Sequence, residues 1–413
     1  MVILSHPTGN AFARAALRGL RERDLLRRFH TTVATFPGSA LDRLGGFGPL
    51  SELRRRRFDA DLAEVTRTHP LPELGRMLAP RVGLAGLTAH ETGALSVDAV
   101  YRHVDAAVAK TLPAEARGGA RAVYAYEDGA RLQFARAREL GLRRFYDLPI
   151  GYWRAANHYL GPAAERRPDY AATLEALGDS RQKLAYKDDE IADADRVFVA
   201  SAFTAATLER FPGRLPPVTK VPYGFPAVGP ARDYDYDPAR RPLRLLFVGR
   251  LSQRKGIAEV FDCAAALGHA VELTVVGRRY DGGTCTALTA ALSRCTHHES
   301  LDHAAVLAQM RAHDVLLFPS LFEGFGLVLT EAMSQGTPVI TTDRTAGPDL
   351  LTDGREGWLV PPEDSHALTA AVQALVDHPE RVGQAGAAAR EAARRRPWSR
   401  YSDELAAAVA AAL

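Results

Sequence analysis

The chain has 413 residues, too many for one ordinary hydrophobic core, so two domains of about 200 residues each are expected. Its composition, 46% hydrophobic and 24% charged, is that of a soluble globular protein. The net charge of +3 is the small difference between 52 basic and 49 acidic residues, which argues against a nucleic-acid partner, whose footprint is a clustered basic surface.

Along the first half, an apolar run at Met1–Leu4 leads through "SHPTGN" into a helical pattern from Ala11 to about residue 28. The compact basic block Arg54–Arg57 in "LSELRRRRFDADL" fits a solvated helix face, the favoured reading, and also fits a peripheral contact with an anionic membrane. Residues 50–115 are mostly helical in texture. Val123–Tyr126 is strand-like and Ala130–Leu140 helical, and "RRFYDLPIG" makes another short strand. Arg196–Ala200 repeats the pattern, with Ser201 as N-cap of a helix running to Phe211.

Residues 212–242, crowded with proline and glycine, read as an interdomain connection that includes a strand-like piece at Val218–Val221. The second half restarts with strand Leu243–Val248, then a helix, strand Val271–Gly277, a helix in "LDHAAVLAQMRAH" and strand "DVLLFPS". A helix in "GLVLTEAMSQG" and strands "PVITTD" and "GWLV" complete it. Alternating buried-type strands and helices in both halves predict an α/β protein of two Rossmann-like domains facing across a cleft. The expected divisions are 1–215 and 243–397, a linker at 216–242, and a terminal helix at 398–413 that packs back on the first domain.

Cys263, Cys285 and Cys295 are odd in number and lack CxxC spacing, which points to a reducing compartment without a disulfide framework or zinc site. The opening "MVILSHPTGN" lacks the basic region and length of a signal peptide, and no run approaches the roughly 20 apolar residues that span a bilayer. A cytoplasmic protein is expected.

Ligands of open α/β sheets bind outside the carboxyl ends of the strands. There, "FVGRLSQRKG" offers Gly249, Arg250 and Lys255, cations suited to a diphosphate; no P-loop is present. In "LFPSLFEGFGLVLTEAMSQGTPVITTD", Glu323 follows a strand and Gly324 and Gly326 permit close backbone approach. The next helix begins near Gly326, so its free N–H groups can face an anion. Glu331 lies about a turn and a half in, with its side chain tilted back towards the N-terminus. Dipole compensation accounts for Glu323 and poorly for Glu331. A sugar nucleotide, with hydroxyl-bearing rings on both sides of its diphosphate, would use one carboxylate per ring.

Glu323 and Glu331 resemble the E-x7-E motif of the retaining family 4 glycosyltransferases of GT-B fold, and Arg250 with Lys255 matches that family's diphosphate pair. "VPYGF" and "ADADRVFVASAFTAATL" are similar to further family segments, and the match is dense from about residue 190 to 362. The resemblance implies that Arg250 and Lys255 hold the donor diphosphate and Glu331 the ribose. Glu323, with Gly324, Phe325 and Gly326, would face the transferred sugar, Leu327 would belong to the donor site, and Gly9 would approach the phosphate from the other domain. It further implies a nucleotide-diphosphate sugar as co-substrate, no cofactor, and a glycan, lipid or small-molecule acceptor.

Family members often carry a histidine beside the reacting sugar, and the corresponding strand ends here, "AVYAYEDG" and "FYDLPIGYW", have none. Glu127, Asp128, Asp147 and His6 are the acceptor-side candidates, with helix caps and loop salt bridges as the structural alternative. His298 is a donor-site candidate. Asp349 stands where the family usually shows a glutamate. No pairing of histidines with nearby carboxylates suggests a metal site. A sugar-nucleotide epimerase, a phosphorylase and a non-catalytic sugar-nucleotide-binding protein of the same fold remain the alternative readings.

Overall fold

The computed structural model describes residues 1–39, 42, 56–174, 177–279 and 282–413. The first sheet is built from β1 (Val2–Ser5), β2 (Leu26–Thr31), β3 (Thr66–Thr68), β4 (Ala122–Tyr126), β5 (Arg143–Leu148), β6 (Arg196–Val199) and β7 (Val218–Lys220). Its order is β3-β2-β1-β4-β5-β6-β7, parallel throughout. The second contains β8 (Leu243–Val248), β9 (Val271–Val276), β10 (Thr296–His298), β11 (Val315–Phe318), β12 (Val339–Thr341) and β13 (Gly357–Leu359). It is also parallel, in the order β10-β9-β8-β11-β12-β13.

Helices cover both faces of each sheet, so the central strands are largely buried on both sides and mainly apolar. β1 and β4 are buried at every residue, as is β11. Strand order reverses at β1/β4 in one sheet and at β8/β11 in the other, and such reversals open the crevices where α/β proteins take ligands.

Two expectations need correction. The helix predicted from Ala11 to about residue 28 stops at Glu22, and Leu26–Thr31 forms β2. The turn uses Asp24 at φ 54°, and Arg27 and Arg28 sit at 2.6 and 3.1 Å from Glu115, so charges that look helical in sequence serve as ion pairs beside a strand. Within the basic block, Arg54 and Arg55 lie outside the described residues. Arg56 pairs with Glu73 at 2.5 Å and donates to the carbonyl of Pro7, and Arg57 pairs with Asp42 at 3.4 Å.

The helix Trp398–Ala412 crosses back to pack on Ala11–Glu22, inserting Tyr401, Leu405, Ala406 and Val409 into the first domain's core. Gly19 makes this approach feasible, because a Cβ there would stand 2.1 Å from the carbonyl oxygen of Ser402. A second crossing runs beside it: Gly224 lies against the backbone of Trp398, and Phe225 bridges to Pro397. Among the described residues, no helix is long and apolar enough to span a membrane.

Candidate functional site

After β8 the chain makes a short turn, Gln253–Lys255, tied at its start by Ser252, whose hydroxyl donates to the carbonyl of Thr173 at 2.7 Å. Gly256 follows at φ 69°, and a Cβ there would meet the carbonyl oxygen of Pro319 at 2.1 Å. The turn therefore presses directly on the segment leaving β11. Ser320 Oγ and the amide of Leu321 both donate to the carbonyl of Arg254 at 2.9 Å.

This contact brings Lys255 and Glu323 together. Lys255 Nζ touches the Glu323 carboxylate and lies 4.9 Å from the centroid of the Phe318 ring; the two charged side chains are only 12% and 14% exposed. Arg254 adds a contact to the same carboxylate at 3.4 Å and donates to the carbonyl of Phe322. Burial, and then the Arg254 and Arg250 cations, pull the Lys255 pKa well below its usual range. The touching carboxylate acts the other way, and with the pair in contact we assign the ammonium form. Arg250 is exposed at the end of β8, next to Gly249 at φ 152°.

Glu331 lies on the helix Leu327–Ser334, whose N-cap Gly326 has φ 87°. Burial raises its pKa, opposed by His303, whose Nε2 is 3.1 Å from Oε1. His298 ends β10, and its carbonyl accepts from the amide of Gly277 at 2.9 Å. The structure thus places Gly249, Arg250, Lys255, His298, Glu323 and Glu331 at the carboxyl ends of the second sheet's strands or in the helix that follows.

The glycine loop has a role that sequence reasoning missed. A Cβ on Gly324 would stand 2.0 Å from the carbonyl oxygen of Pro149, on the other domain. The Gly324 carbonyl itself accepts from Ser201 Oγ at 2.5 Å and Thr204 Oγ1 at 2.8 Å. Its missing side chain thus admits the facing backbone of the first domain, where a ligand was expected. Phe325 packs on Tyr223, with ring centroids 4.9 Å apart, and Phe322 enters an apolar cluster with Ala155, Ala156 and Leu160. Asp349 closes the seam, accepting from the amide of Ala202 at 2.7 Å and from Lys220 Nζ at 2.5 Å.

On the first domain, Gly9 adopts φ 60° after β1, with the Phe58 ring filling the space its side chain would need. His6 is buried; its Nδ1 accepts from the amides of Gly9 at 2.8 Å and Thr8 at 3.1 Å. Burial, then Arg56, lowers its pKa to about 3, so it is a neutral staple of the loop. Asp147 is buried and accepts from the Tyr124 hydroxyl at 2.6 Å. Its carboxyl faces core tyrosine, away from the open strand end expected of it. Glu127 and Asp128 follow β4, with Lys187 Nζ at 3.6 and 3.9 Å. Burial raises both carboxyl pKa values, Glu127 to about 7. Among the described residues, one His/Glu/Asp group, His90, Glu91 and Asp179, gathers three donor atoms within 4.8 Å, and Lys183 Nζ lies 3.1 Å from the Asp179 carboxylate.

Comparison with known proteins agrees with this architecture. Residues 242–378 match the family model described as glycosyl transferases group 1. A GDP-mannose-dependent alpha-mannosyltransferase of Mycolicibacterium smegmatis is 30% identical over 293 residues, 65% of this chain and 75% of that protein. A phosphatidyl-myo-inositol mannosyltransferase of Mycobacterium leprae is 36% identical over 169 residues, covering 39% of this chain and 44% of its own length. Sucrose-phosphate synthase from Thermosynechococcus elongatus superimposes over 100% of this chain and 99% of its own, with a TM-score of 0.65 at 20% identity. The fold is GT-B, and the chain belongs to the group 1 glycosyltransferases. The match to the mannosyltransferase of Mycobacterium leprae spans less than half of that relative.

Proposed function

We propose that the protein is a retaining glycosyltransferase that moves a sugar from a nucleotide-diphosphate sugar to an acceptor hydroxyl. The observation that carries this reading is the meeting of Lys255 and Glu323 at the strand-order reversal of the second sheet, beside the seam with the first. The second domain, about 243–397, takes the donor; the first, about 1–215, takes the acceptor.

In this reading Arg250 and Lys255 bind the diphosphate, with the first amides of the helix Leu327–Ser334 adding positive field. Arrival of the diphosphate draws the Lys255 ammonium from Glu323, whose carboxylate turns to the sugar hydroxyls beside Gly324, Phe325, Gly326 and Leu327. Glu331 holds the ribose, steadied by His303, and His298 and Gly9 line the donor's edge. The bond from the anomeric carbon to the phosphate oxygen breaks, leaving an oxocarbenium-like sugar and a diphosphate held by the cations. The acceptor hydroxyl bonds to the same face and gives its proton to the departing phosphate oxygen. Closure of the domains keeps water from intercepting the sugar.

The test is turnover of Arg250→Ala and Lys255→Ala against a panel of UDP, GDP, ADP and dTDP sugars. A large fall in kcat/KM for both is expected; near wild-type rates in either would overturn the assigned role. Glu331→Ala should weaken nucleoside-diphosphate binding, and unchanged affinity would remove Glu331 from the ribose.

A further inference from the structure

Beside the β1/β4 reversal of the first sheet lies a cavity of about 420 Å3, within the size range of small-molecule sites. The first turns of three helices, Val97–Arg117, Arg131–Glu139 and Arg181–Ala192, contribute to its wall, together with Asp128 from the turn after β4. It therefore sits at the same end of the sheet as Pro149 and Ser201, which meet the Gly324 loop.

The wall carries five carboxyl groups, Glu91, Asp98, Asp105, Asp128 and Glu190, and three cations, Arg102, Arg131 and Lys183. Burial raises the pKa of Asp105 and pushes that of Glu190 well above its usual range, so the charge facing the cavity is carried mainly by Glu91, Asp98 and Asp128. Asp105 is satisfied by the amides of Leu132 and Gln133, and Glu190 by those of Asp128 and Ala130. Arg131 is engaged by Asp189 at 3.2 Å. Lys183 is shared between Asp98 at 2.9 Å and Asp179 at 3.1 Å. Lys187 is divided among Asp179 at 3.3 Å, Glu127 at 3.6 Å and Asp128 at 3.9 Å. Two ammonium groups thus serve four carboxylates, in surroundings where unmatched charge is expensive. Gln182, Tyr186 and Thr92 supply neutral hydrogen-bonding groups on the same wall.

We infer that this cavity receives an amine-bearing polyol, an amino sugar or aminocyclitol, as the acceptor or the part of it that anchors binding. Its ammonium lies against Asp128 and Glu91, and its ring hydroxyls bond the neutral groups. A neutral polyol would leave the carboxylate excess uncompensated, and a phosphorylated one would add to it. The inference rests on the glycosyltransferase reading given above.

The experiment is calorimetric titration of the full chain, in EDTA at low salt, with 2-deoxystreptamine, myo-inositol and myo-inositol 1-phosphate. The aminocyclitol should bind at least about tenfold more tightly than myo-inositol, with the phosphate weakest and the gap narrowing as salt rises. Asp128 sits at φ 70°, a conformation that asparagine tolerates, so Asp128→Asn should fold normally and lose most of that preference. Failure of the aminocyclitol to bind, equal affinity for the neutral ring, tighter binding of the phosphate, or an unchanged preference in Asp128→Asn would each overturn the inference. Parallel titration with UDP, GDP, ADP and dTDP separates the two readings. Diphosphate binding without amine preference sinks this inference alone, whereas no diphosphate binding by the wild-type chain sinks the transferase reading beneath it.

Discussion

The hydroxyl of Ser201 donates to the carbonyl of Gly324 at 2.5 Å, fastening the acidic loop of one domain to the first helical turn that follows β6 in the other. On its opposite side the loop has no room: a Cβ at residue 324 would stand 2.0 Å from Pro149 O. Gly324→Ala can be accommodated only by parting the loop from Pro149–Ile150, which displaces Glu323 from the first domain. A displacement of about 1 Å at a reacting centre costs roughly 100-fold in rate, and a fall of that order in kcat is expected. Nucleoside-diphosphate affinity should change much less, because Arg250 and Lys255 are untouched. Wild-type kcat in Gly324→Ala would show that the seam does not position the loop.

Lys255→Met keeps an apolar stem over Phe318 and removes the charge that meets Glu323. Stranding one partner of a buried pair costs about 3–5 kcal/mol. Here Arg254, 3.4 Å from the same carboxylate, remains as a partial partner, so a loss of about 2 kcal/mol is expected. Adding Glu323→Gln should restore part of that stability and none of the activity. Urea melts of the wild type, both single variants and the double variant supply the measurement; additive losses would mean that the two side chains are not coupled.

Asp147 gives a pH dependence of definite sign. Burial raises its pKa to about 7, against the opposing hydrogen bond from Tyr124. In the unfolded chain an aspartate titrates near about 3.9, so between about pH 4 and 7 the folded state holds the proton that the unfolded state has released. Stability attributable to this group is therefore full below about pH 4, falls as pH rises to about 7, and is level above. Asp147→Asn can still accept from Tyr124 and has no charge to bury. Its melting temperature should exceed that of the wild type at pH 8 by more than at pH 4.5. A difference that is the same at both pH values would place the ionised carboxylate in a better-solvated site than the structure gives it.

The parts legible in the sequence are those whose physics is local. β8, β9 and β11 are largely apolar because most of their residues are covered on both faces, and the turns and helices that follow them place Arg250, Lys255, Glu323 and Glu331 at one end of one sheet. β2 was hidden because Arg27 and Arg28 break its apolar pattern, and their partner Glu115 is remote in sequence. Gly324 signalled a close approach, and the partner it meets in the structure, Pro149, was not legible because the other domain supplies it. His303 carries no sign of its contact with Glu331, since the two side chains meet only once their helices pack. His6 and Asp147 followed strands as cleft residues would, yet loop geometry turned one inward and the Tyr124 hydroxyl holds the other.

The terminal helix makes one of its closest approaches at a small residue of the first helix. Gly19 faces the backbone of Ser402, and a Cβ there would come within 2.1 Å of its carbonyl oxygen. The side chains delivered by this helix, Tyr401, Leu405 and Val409, are each 1% exposed or less, and the transfer of a leucine or valine to such a site is worth about 1.5–3 kcal/mol. Gly19→Val must either strain the helix pair, at about 1–3 kcal/mol, or release the helix and forfeit that burial. Either route lowers the melting temperature, and release also exposes residues 398–413 to protease. Limited proteolysis with mass spectrometry distinguishes the two: a clipped C-terminus marks release, and an intact chain with a lowered melting temperature marks strain. An intact chain melting with the wild type would mean that the helices do not meet at Gly19.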